Sequence, residues 1–145
     1  MKNRSTIAVT CLVMMTLALT GVAFAHGTKK PGKTTATDAQ MKKMHDMMPM
    51  FSLASAAMET ALEKGDVAAV ETEAAKIVAA IPDLKISKPH KNIKQRKKFV
   101  ELATSFEEAI TSTVALAKKG DFAGAKAAFI NAEKACAACH AKFRN

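Results

Sequence analysis

The chain has 145 residues, a net charge of +9, neither Trp nor Tyr, and only three cysteines. That length allows one domain after any processing and is too short for two. The charge favours acidic partners or surfaces, but a chain without Trp or Tyr to stack on bases does not suit nucleic acid.

Met1-Lys2-Asn3-Arg4 is a basic start, residues 6–20 are almost unbroken apolar sequence, and Ala23-Phe24-Ala25 supplies small residues of the kind a signal peptidase reads. Residues 1–25 are therefore expected to be a secretory signal peptide cut after Ala25, which places the protein in the periplasm. The apolar run falls short of the roughly 20 residues that span a bilayer, so no membrane span is expected after cleavage. Cys11 lies inside the apolar run, without the spacing of a lipoprotein signal. Cleavage leaves 120 residues, a charge of +7 and two cysteines.

Residues 26–37 contain Gly, Pro and Lys and are expected to form a flexible tail, with the folded domain over 38–145. No later segment alternates apolar and polar residues as a half-buried strand does, and every segment fits a helical period. The first helix is expected over 38–64, with Met41, Met44, Met48, Phe51, Ser55, Met58 and Leu62 on one stripe. Pro49 is expected to kink this helix or to mark its start. Gly65-Asp66 stops it and caps the next. A second helix over 67–80 carries Val67, Val70, Ala74, Ile77 and Ile81, ended by Pro82, and residues 82–90 read as a loop. A third over 92–119 buries Phe99, Ala103, Phe106, Ile110 and Ala117, with Val100 and Val114 beside them. Gly120-Asp121 repeats the stop-and-cap device. A fourth carries Phe122, Ala125, Phe129, Ala132, Cys136, Cys139 and Phe143 on one stripe. The expected fold is all-α, an up-down-up-down antiparallel four-helix bundle.

The strongest chemical signal is Cys136-Ala137-Ala138-Cys139-His140. Cys-x-x-Cys-His is the attachment pattern of a c-type haem. On a helix a spacing of three puts both thiols on one face, where they can form thioethers to one haem, with the adjacent imidazole beneath the iron. A redox dithiol belongs instead at a helix N-terminus, where the dipole lowers a thiol pKa. A zinc site needs a further ligand such as His45 or His90, and a disulfide three residues apart within a helix is strained.

A signal peptide, a four-helix pattern and the C-terminal run Lys134-Ala135-Cys136-Ala137-Ala138-Cys139-His140-Ala141-Lys142-Phe143-Arg144 together resemble the class II cytochromes c, the cytochrome c′ proteins and their low-spin relatives. The resemblance implies one haem c, thioether-linked through Cys136 and Cys139, with His140 as fifth iron ligand and Arg144 near the haem edge. It also implies that a residue of the first helix faces the iron from the other side. A Met there gives an electron carrier, and an apolar residue leaves the iron open to small gases such as NO and CO. His140 lies 18 residues beyond Phe122. The same depth counted back from Gly65 falls between Asp46 and Met48, because rise per residue is constant. Met48 is the expected sixth ligand, with Met44 and Met47 as alternates and His45 a weaker candidate.

Met41, Met44, Met47, Met48 and Met50 crowd into ten residues beside His45. Thioethers with an imidazole suit copper(I), so a periplasmic copper-binding protein is a second reading. Lys85, Lys88, Lys91, Lys94, Arg96, Lys97 and Lys98 form a run without an acidic residue. Such a run suits docking of an acidic redox partner protein, and its cations oppose the dipole of the third helix. A homodimer is compatible with the family. No Ser-His-Asp set, paired carboxylates or phosphate loop suggests an enzyme.

Overall fold

The computed structural model describes residues 36–144. The expected signal peptide and most of the expected tail lie outside that range. Four helices follow in order: α1 Ala36–Lys64, α2 Val67–Ile86, α3 Arg96–Lys118 and α4 Phe122–Phe143, with a short 3-10 turn at Ile93–Gln95 before α3. There is no strand among the described residues. The fold is the expected all-α four-helix bundle. Helix α1 begins at Ala36, two residues earlier than the sequence pattern suggested.

Two of the three connections are the same device. Gly65 and Gly120 take left-handed φ angles of 70° and 77°. The Asp66 amide donates to the Ala61 carbonyl at 2.9 Å, and the Asp121 amide donates to Leu116 at 3.1 Å. Each is the six-to-one bond of a Schellman close. The same aspartates then open the next helix. The Asp66 carboxylate accepts from the Ala69 amide at 3.0 Å, and that of Asp121 from the Gly124 amide at 2.8 Å. Orphan groups at both sides of each turn are thereby satisfied within one Gly-Asp pair, and successive helices reverse without slack.

The core follows the expected stripes with informative shifts. On α2, Val70, Ala74, Ile77, Ile81 and Leu84 are buried. On α3, Phe99, Ala103, Phe106, Ile110 and Ala117 are joined by Thr113, whose hydroxyl donates to the Ala109 carbonyl. Val114 stays half-buried, one position round the helix. On α1 the buried row is Met44, Met47, Phe51, Ala54, Met58, Ala61 and Leu62, while Met48 and Ser55 are only half-buried.

Both prolines expected to break helices are accommodated. Pro49 lies inside α1, which continues through it. A proline here leaves the His45 carbonyl without its i+4 donor, at a typical cost of about 3 kcal/mol. Met44, Met47 and Phe51, all buried around it, hold the turn in place. Pro82 lies inside α2, which runs on to Ile86 instead of ending near residue 80. Burial of Ile81 and Leu84 anchors that extra turn. The loop thus shortens to the residues after Ile86, and the start of α3 moves from 92 to Arg96.

Substituting Gly120→Ala isolates the backbone term, because an added Cβ meets nothing within 4 Å. Urea unfolding is expected to show a loss of about 1–2 kcal/mol from the left-handed conformation alone. Asp121→Ala is expected to cost about 1 kcal/mol through the lost cap.

Candidate haem site

Helix α4 packs most extensively on α3, α1 packs on α2, and α2 on α3, but α1 and α4 touch only lightly. Between them lies a cavity of about 780 Å³. Its size falls within the roughly 300–1,000 Å³ of small-molecule and cofactor sites. Helix α4 contributes Phe129, Ala132, Ala135, Cys136, Cys139, His140 and Phe143, and Arg144 follows at its end. Helix α3 contributes Phe99, Leu102, Ala103 and Phe106. Helix α1 contributes Met44, His45, Met48, Pro49, Phe51, Ser52 and Ser55.

Cys136, Cys139 and His140 are therefore on one wall, and Met44 and Met48 are on the wall of α1. Met47 does not line the cavity. It joins the packed core instead, because one residue step turns a helical side chain by about 100°. His45 does line the cavity, as does His90 from the loop after α2. The sequence pattern places His90 in a loop and offers it, like His45, only as a further ligand for a zinc site. No periodicity connects residues so far apart, so the signal that joins them is tertiary.

Both thiols are free and half-buried. Burial, with the neighbouring Cys139 and Glu133, pushes the Cys136 thiol up to about 11. Burial also raises Cys139. Thiols held protonated are poor exchange nucleophiles at neutral pH, which disfavours a redox dithiol. The His140 imidazole is pushed down, first by burial and then by the Arg144 guanidinium. A lowered pKa keeps it neutral, the state in which imidazole ligates a metal.

A loop secures the cavity's rim. Asn92 takes a left-handed φ of 54°. Its side-chain amide donates to the Lys142 carbonyl at 2.6 Å, and the Lys91 amide donates to Phe143 at 3.1 Å. These bonds satisfy carbonyls at the free end of α4. The Arg96 guanidinium donates to the Lys85 and Ser87 carbonyls, closing the end of α2. It also stands 5.6 Å from the centre of the Phe99 ring. Phe99 in turn meets Phe143 edge-on at 5.3 Å. Lys85 pairs with Glu107 at 2.5 Å. Lys98 pairs with Glu101 at 3.3 Å, so three members of the basic run have structural partners, and Arg96 and Lys98 hold theirs at the start of α3 despite its dipole.

The residues present fit a covalently held haem. The cavity is largely apolar, its two thiols face one way with an imidazole beside them, and methionine thioethers stand on the facing helix. A four-helix bundle with this motif at the end of its last helix is the arrangement of a bundle-class c-type cytochrome. In agreement, residues 87–144, which span the loop, α3 and α4, match the family model described as Cytochrome C'. The family implies covalently bound haem c. No curated protein and no solved structure significantly matches the chain.

The loop tie can be dissected in two steps. Asn92→Gly keeps the left-handed backbone and removes the side-chain bond, with an expected loss of about 0.5–1.5 kcal/mol. Asn92→Ala adds a backbone penalty of about 1–2 kcal/mol. Thermal or urea unfolding of the two variants should rank them in that order.

Proposed function

We propose that this protein is an exported, periplasmic cytochrome that carries one haem c and transfers single electrons. The observation that carries this reading is the cavity between α1 and α4, bounded by Cys136, Cys139 and His140 on one side and by Met48 on the other. Haem c bound there supplies a one-electron iron couple. Cys136 and Cys139 would hold it through two thioether links. His140, kept neutral by its surroundings, would ligate the iron from α4, and Met48, with Met44 as alternate, would do so from α1. Phe99, Leu102 and Phe106 give the site an apolar wall, and low-dielectric surroundings would shift the iron couple. Arg144, exposed at the rim, offers a cation near the haem edge.

The apolar wall formed by Phe51, Leu102 and Phe106 supports a second reading, in which the distal position stays open to small gases. The absorption spectrum of the purified holoprotein separates the two. Methionine ligation is expected to give a low-spin spectrum with a weak far-red charge-transfer band when oxidised. Met48→Ala should then turn the protein high-spin and open it to carbon monoxide. A wild-type spectrum that is already high-spin and shifts with carbon monoxide would establish the gas-binding reading instead. In Cys136→Ala/Cys139→Ala, haem should be lost on a denaturing gel, whereas the wild type retains it.

The partner is an acidic redox protein that docks on the basic surface. Lys88, Lys91, Lys94 and Lys97 have no ion-pair partner among the described residues, and the last three are exposed. Lys91 follows His90 directly, which puts this charge next to the cavity's rim. Stopped-flow association with an acidic electron acceptor is expected to slow as salt rises, because screening shortens the reach of surface charge. Replacing Lys91, Lys94 and Lys97 with Glu should slow association about tenfold or more at low salt.

A further inference from the structure

His45 and His90 are a pair of imidazoles that the fold joins and the haem reading leaves unused. They come from separate elements, α1 and the loop after α2, yet their Nε2 atoms are 3.0 Å apart. Their ring centres are 5.0 Å apart with planes tilted by 31°. Both side chains are exposed, so an ion from solution can reach them.

Each imidazole is held by backbone anchored independently of the other. Met44 and Met47, buried on either side of His45, fix the register of α1. His90 is bracketed by buried Ser87 and Pro89 on one side and by the Lys91 and Asn92 bonds to the end of α4 on the other. Two nitrogens bound to one tetrahedral ion at about 2.0–2.1 Å stand about 3.3–3.4 Å apart. A separation of a few tenths of an ångström is all that distinguishes the observed pair from a chelating one. Pre-anchored ligands lose little freedom on binding, which favours capture.

We propose that His45 and His90 form a second metal site, distinct from the haem, that binds one divalent ion of the imidazole-preferring class, copper(II) or zinc(II). No three His, Cys, Asp or Glu side chains among the described residues converge on a metal position. The ion is therefore held by two protein nitrogens and completed by water. The Asp46 carboxylate beside His45 is engaged by Lys42 at 2.7 Å. Binding ties the loop to α1 across the mouth of the cavity. Copper(II) binds more tightly than zinc(II), following the general affinity order of divalent ions for nitrogen ligands.

The test uses untagged, oxidised holoprotein titrated with zinc(II) by calorimetry and with copper(II) by electron paramagnetic resonance. One ion per chain is expected, with nitrogen hyperfine structure on the copper signal. His90→Ala and His45→Ala should each weaken binding at least tenfold, and the double variant should be no weaker than either single one, because both nitrogens serve one ion. The haem spin state, read from the absorption spectrum, should stay that of the wild type in both single variants, because neither imidazole ligates the iron. Equal affinity in the wild type and His90→Ala would overturn the site, as would failure to bind either ion. A changed haem spin state in His45→Ala would also sink it, by making His45 an iron ligand. None of these outcomes depends on whether the haem serves electron transfer or gas binding.

Discussion

Helix α4 has two unequal neighbours, and the difference governs the molecule. Against α3 it packs along its length, from Ala125 and Phe129 to the edge-on contact of Phe143 with Phe99. Toward α1 it leaves a gap large enough for a cofactor. Protein interiors normally close such space, since each lost contact forfeits dispersion energy. Here α1 cannot collapse inward without losing its own packing. Phe51 already meets Phe106 of α3 edge-on, and Met58 and Leu62 fill the opposite end of the bundle. The cavity is therefore a property of the whole bundle and not of any one helix.

That arrangement lets the last helix do two jobs. Its buried row keeps α4 on the scaffold, while Cys136, Cys139 and His140 stay half-buried beside the opening. Fully packed thiols could not react with an incoming group, and fully exposed ones would not hold it in the core. The end of α4 is then secured from outside, by Asn92 and Lys91 on its last carbonyls. The same loop delivers His90 to the rim and Arg96 to the end of α2. Charge, rim and core thus meet at one end of the bundle.

The basic run shows how local charge reads differently in three dimensions. As a string of seven cations it looks like one docking patch. In the fold, Lys85 is paired with Glu107 and Arg96 serves as a helix cap that also covers Phe99. What is left for recognition is a smaller exposed set around Lys91, Lys94 and Lys97. Long cationic side chains often combine packing and charge in this way.

Much of the protein is settled by short-range chemistry. The four helices follow from apolar period, and the two Gly-Asp turns follow from the left-handed glycine and the capping aspartate, both local in sequence. The Cys136-Cys139-His140 grouping is equally local, because three and four residues make one helical turn. The prolines mark the boundary of such reasoning. Pro49 and Pro82 have the local signature of helix ends, yet burial of Met47, Phe51, Ile81 and Leu84 outweighs the lost bonds. Whether Met47 or Met48 faces the cavity depends on how α1 is rotated by its neighbours, which no residue count within α1 can fix. The meeting of His45 with His90 is further still from the sequence. It exists only because α1, the loop after α2 and the end of α4 are packed against one another, and contacts between such distant residues are created by the fold alone.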